Sequence, residues 1–148
     1  MLSLKDIDLD MLTTAMENAS YEMQWWLDPD TGELELTGDM VDEGLSPEEL
    51  EERGFVAVEM ADSHRGYRDM EDFIDTLEDE KVRAALFRAI ERQRPFRHFK
   101  DALYDYPKVQ DDWYAFHEKR MRHHAITWLL SEGLIDEQEA QDALSKEA

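Results

Sequence analysis

The sequence predicts an α+β, predominantly helical fold in which a small N-terminal antiparallel sheet, a hairpin plus a third strand, is packed by several helices. Three observations predict it. Apolar residues recur at a period of two between residues 21 and 36, as half-buried strands require, and Phe55–Met60 is a short apolar run rich in β-formers. After residue 60 the apolar spacing is helical throughout. Strands and helices do not alternate, and no glycine-rich turn leads from a strand into a helix, which argues against parallel βαβ units.

The elements follow in order. Leu9, Leu12, Met16 and Ala19 stand at helical spacing, so residues 8–19 read as an amphipathic helix. Tyr21, Met23, Trp25 and Leu27 then share one face of a strand. Asp28-Pro29-Asp30-Thr31-Gly32 is a turn, because proline presets φ and glycine tolerates φ > 0, and Glu33–Leu36 alternates again to complete a hairpin. Ser46-Pro47-Glu48-Glu49 is a capping box with proline at the first helical position, opening a short helix to about Arg53. Gly54 ends it, and Phe55–Met60 is the third strand.

Met70, Phe73, Ile74 and Leu77 give the apolar stripe of the next helix, and Val82, Ala85, Leu86, Ala89 and Ile90 that of its successor. Pro95 opens a short helix with Phe96, Phe99 and Leu103 on one face, and Pro107 is expected to stop it. The longest helix is expected from Val109 to about Ser131, with Val109, Trp113, His117, Met121, His124 and Trp128 within one broad face. Asp136 and Glu139 form a second capping-box-like start, for a helix to Leu144.

A chain of 148 residues fits one ordinary domain, expected to span 1–148. With no cysteine, disulfides, thiolate metal sites and a cysteine nucleophile are excluded. No apolar run approaches the roughly 20 residues of a membrane span and the start has no leader pattern, so a cytoplasmic location is expected. The net charge of −21 disfavours nucleic acid as a partner. The charge is uneven, however. Residues 81–124 hold eleven Lys and Arg against six Asp and Glu, a local surplus of +5 that leaves −26 for the rest of the chain.

Candidate chemistry concentrates in two places. Ser63, His64, Arg65, Gly66 and Arg68 lie where the chain enters a helix, so backbone N–H groups and basic side chains are available to an anion, with the glycine allowing close approach. Against this, Asp62 or Ser63 caps helices, and arginines pair readily on so acidic a surface. The second place, Arg94-Pro95-Phe96-Arg97-His98-Phe99-Lys100, interleaves basic and aromatic residues, with Arg94, Arg97 and Lys100 as the anion-binding candidates.

Other constellations are weaker. Asp62-Ser63-His64 has triad residue types, but chain neighbours do not converge as a triad must. His117-Glu118-Lys119-Arg120-Met121 puts methionine where the helical zinc motif needs its second histidine, and His117 and His124 stand about 10 Å apart along a helix, too far for one ion. Asp69, Glu71, Asp72 and Asp75 read as a solvated carboxylate face. No metal, cofactor or catalytic residue is implied.

The stretches Ser-His-Arg-Gly-Tyr-Arg-Asp-Met-Glu-Asp-Phe-Ile (63–74), Pro-Phe-Arg-His-Phe-Lys-Asp-Ala-Leu (95–103), Trp-Tyr-Ala-Phe (113–116) and Ala-Ile-Thr-Trp-Leu (125–129) resemble a bacterial group, uncharacterised protein family 0158. The hairpin Trp25 to Leu36 resembles it too, so that the likeness covers most of the chain past residue 20. The resemblance implies a bacterial cytosolic protein and carries over no catalytic residue. The reading that results is a non-enzymatic binding or regulatory module with a basic, aromatic-edged anion-binding surface, whose partner is a protein or a phosphorylated ligand. Two rivals stand beside it: an enzyme acting on a phosphorylated small molecule, and an acidic mimic of nucleic acid that binds a basic partner.

Overall fold

The computed structural model describes residues 1–18, 23–38, 44–60 and 62–147; Ala19, Tyr21 and Ala61, expected in a helix, a strand and a turn, lie outside them. The described residues form an α+β fold that is mostly helical, and they fall into two compact units, Met1–Ala61 with Met121–Ala148 and Asp62–Arg120.

In the first unit a 3₁₀ turn (Leu4–Asp6) precedes helix α1 (Leu9–Asn18). Strands β1 (Met23–Leu27), β2 (Leu34–Gly38) and β3 (Val56–Ala57) make the expected antiparallel sheet in the order β2-β1-β3. Trp25 pairs with Leu36, and Leu27 with both Leu34 and Val56. β3 is shorter than the 55–60 expected, although the Val58 N–H still donates to the Trp25 carbonyl at 2.9 Å. Helix α2 (Pro47–Glu52) is capped as its sequence dictates: the Ser46 hydroxyl accepts from the Glu49 N–H at 3.2 Å.

The hairpin turn is closed by Asp28 N–H to the Glu33 carbonyl and Gly32 N–H to the Asp28 carbonyl, both 2.8 Å. Gly32 has φ +83°, and a Cβ there would stand 2.6 Å from the Asp6 carbonyl oxygen, so both backbone conformation and space require glycine. Within the sheet, the Trp26 indole N–H donates to the Thr37 hydroxyl at 2.9 Å, and both residues are buried. Thr37→Val leaves that donor without an acceptor, an expected loss of about 1–3 kcal/mol seen as a lower urea midpoint. A midpoint equal to the parent's would mean that water reaches the indole.

In the second unit, helices α3 (Ser63–Asp75), α4 (Glu80–Ile90) and α5 (Pro95–Leu103) precede the start of α6 (Pro107–Ser131), whose latter part belongs to the first unit. Pro107 opens α6 rather than merely ending the preceding helix, because a proline at the first helical position sacrifices no hydrogen bond. Helix α7 (Glu137–Glu147) runs past the expected Leu144. Its Asp136 caps Gln138 and Glu139 N–H, but the Glu139 carboxylate does not return to the cap; it accepts from the Ser3 hydroxyl at 2.9 Å and from the Leu4 N–H.

Each unit has its own core. In the first, Leu12, Met16, Leu27, Ile126 and Leu129 are buried together. In the second, Trp113 lies among Phe73, Phe99 and Phe116, with edge-on contacts to Phe73 and Phe99 at centroid distances of 5.3 and 4.9 Å. Edge-to-face pairs align the positive rim of one ring with the negative face of another.

Candidate functional site

The two expected halves of the site both fall in the second unit. At the start of α3, Asp62 is the N-cap, and its carboxylate accepts the His64 backbone N–H at 2.9 Å while its carbonyl accepts from Gly66 N–H. A negative side chain already sits on the positive end of this helix, where an external anion would otherwise bind. The same hydrogen bond engages Asp62 with the backbone of His64 and not with its ring, as a base-and-orienter pair would need. Ser63, His64 and Arg68 are exposed, and Arg65 is half-buried.

The space beside Gly66 is filled from α5. A Cβ on Gly66 would stand 3.0 and 3.2 Å from Cε1 and Cζ of the Phe96 ring, so the glycine admits an aromatic edge of the protein itself where close approach by a ligand was expected. That contact brings the first turns of α3 and α5 together. It does not converge their basic groups. At 100° per residue, His64 and Arg68 lie about 160° around α3 from Gly66, on the side away from Phe96.

α5 begins at Arg94, whose φ of 56° and ψ of 59° are left-handed, the one positive φ at a non-glycine residue among those described. Pro95 follows at the first helical position. Phe99 and Leu103 are buried, as the periodicity requires, whereas Phe96 remains 41% exposed despite sharing their stripe. Arg94, Arg97 and Lys100 are all exposed. Residues 88–100 contain five Arg and Lys and a single acid, Glu91, a local charge of +4 in a chain of −21.

Two cations of the second unit are held in ion pairs. Arg120 bonds Asp72 at 2.9 Å and Asp69 at 3.5 Å, and its guanidinium lies 4.8 Å from the Phe116 ring centroid; Arg83 is 3.6 Å from Asp75. By contrast, Arg68, Arg94, Arg97 and Lys100 make no ion pair among the described residues. The carboxylate face expected on α3 is thus only partly solvated: Asp69 is 3% exposed. The signal was present in its spacing, since Asp69 stands four residues before Phe73 on the apolar stripe, but its partner is 51 residues away.

Of the histidines on α6, His117 stacks on Trp113 at 5.1 Å between ring centroids, a packing role. In the first unit a cleft of about 350 Å³ is lined by Asp6, Asp8, Met11, Gly32 and Glu33 among others, a lining suited to no anion.

Residues 7–147 match the model of an uncharacterised protein family, UPF0158. The chain belongs to this family. Among UPF0158 proteins, one from Pseudomonas aeruginosa, named UPF0158 protein PA5073, is 37% identical over 60 residues, which are 40% of this chain and 39% of that protein. The match therefore spans well under half the length of that curated relative. No solved structure matches this UPF0158 chain. Among its described residues, no helix is long and apolar enough to cross a membrane.

Proposed function

We propose that this UPF0158 chain is a cytoplasmic, non-enzymatic binding or regulatory module, whose anion-binding surface is carried chiefly by Arg94, Arg97 and Lys100 at the start of and along α5, with Ser63, His64, Arg65, Gly66 and Arg68 on α3 as a separate, secondary patch. The observation that supports the reading is the state of the α5 cations. In a chain with 37 acidic residues, Arg94, Arg97 and Lys100 are exposed and form no ion pair among the described residues. Charges left in water keep their full capacity to meet an external anion, without the cost of first breaking an internal pair.

Pyrophosphate is a suitable probe, because a ligand that binds only the native state raises the unfolding midpoint in a saturable way. Multivalent anions also stabilise proteins by exclusion from the surface, which does not saturate. We expect Arg97→Gln with Lys100→Gln to remove most of the saturable component, and Arg65→Gln with Arg68→Gln to reduce it less. Identical titrations in the parent and both double variants would show that neither patch binds anions.

A further inference from the structure

The outward face of α5 carries more than charge. Counting 100° per residue from Phe96, Lys100 lies at about 40°, the C-cap Tyr104 at about 80° and Arg97 at about 100°, so the four lie along one side of the helix, while buried Leu103 and Phe99 lie about 20° and 60° from Phe96 in the opposite direction. Tyr104 is 79% exposed and Phe96 41%. Two cations flanked by two partly exposed rings form a strip about 12 Å long, the rise of eight helical residues.

We propose that this strip docks a short acidic segment of a protein partner that also carries an apolar side chain. This deepens the anion-binding reading and rests on it. Charge complementarity selects the sign: residues 88–100 carry +4, against −25 on the remaining 135 residues. Length selects the class. A strip of about 12 Å matches some four residues of extended chain at about 3.3 Å each. A long polyanion carries charge beyond what the strip's two cations can meet, and the chain's net charge of −21 disfavours that excess. A short segment carries no such excess. The aromatic residues point the same way, since tracking a strand takes a succession of open rings and only Tyr104 stands largely free, Phe96 being 41% exposed and packed by its edge on Gly66. What the rings offer is apolar contact beside the cations, which suits a peptide side chain.

The test is fluorescence anisotropy on the full chain with three probes. These are a labelled eight-residue peptide with glutamates around a Leu-Phe pair, a labelled twelve-residue oligothymidylate, and unlabelled pyrophosphate as competitor. We expect the peptide to bind, to weaken as salt rises, and to be displaced by pyrophosphate. Arg97→Glu with Lys100→Glu should weaken it roughly tenfold or more, as two contacts turn repulsive. Tyr104→Ser, which leaves every charge in place, should weaken the peptide several-fold and leave pyrophosphate unchanged; circular dichroism checks that each variant is folded, and Tyr104→Ser decides alone if the charge reversal is not. Tighter binding of the oligonucleotide than of the peptide overturns the proposal in favour of nucleic acid. Saturable pyrophosphate stabilisation without peptide binding overturns the acidic-segment proposal but preserves the anion surface, whereas absence of both overturns both.

Discussion

Trp113→Ala is expected to lower the unfolding free energy by about 3–5 kcal/mol, because truncating a large buried aromatic side chain loses its transfer free energy and leaves a cavity. Trp113 is 7% exposed and touches the rings of Phe73, Phe99, Phe116 and His117. The contacts come from two other helices, α3 and α5, and from the next turn of α6 itself, and all are rings too rigid to collapse into the space it vacates. Trp128→Ala, 5% exposed in the core of the first unit, should cost a similar amount. Urea unfolding measures both, and a midpoint matching the parent's would place the side chain in water. We further propose that residues 1–148 unfold as one cooperative domain. Each variant should then shift a single transition that tryptophan fluorescence and circular dichroism report at the same midpoint, and separate midpoints would mean that the two units unfold independently.

Gly32→Ala is expected to cost about 2–4 kcal/mol, the sum of a left-handed backbone imposed on alanine and a steric conflict with the Asp6 carbonyl. Gly54 supplies the control. Its φ of +86° is nearly that of Gly32 at +83°, but nothing lies within 4 Å of a Cβ placed there. Gly54→Ala should therefore show the backbone penalty alone, about 1 kcal/mol. The difference between the two urea midpoints isolates the approach of the turn to Asp6. Equal losses would mean that the turn stands clear of the N-terminal segment.

The elements that sequence reading placed well are those whose cause is local. The Asp28–Gly32 turn, the Ser46 cap and the stripe through Trp113, Met121 and Trp128 each depend on residues within a few positions of one another, so periodicity and turn chemistry reveal them. The candidate site was legible only as composition. Nothing local distinguishes Arg97 and Lys100, which make no ion pair among the described residues, from Arg120, which pairs with Asp69 and Asp72 about fifty positions earlier. The same holds for Glu139, which looked like the return half of a cap and instead holds Ser3.

The sequence by itself determined the α+β class, the antiparallel sense of the sheet and the uneven charge, because each follows from residue order and short-range sterics. Only the tertiary structure decided that Gly66 receives Phe96, that Asp69 is buried beside Arg120, and that the cations of α5 face outward without partners among the described residues. Those facts depend on which side chains distant segments bring within a few ångströms, and contact energies of that range leave no periodic trace along the chain.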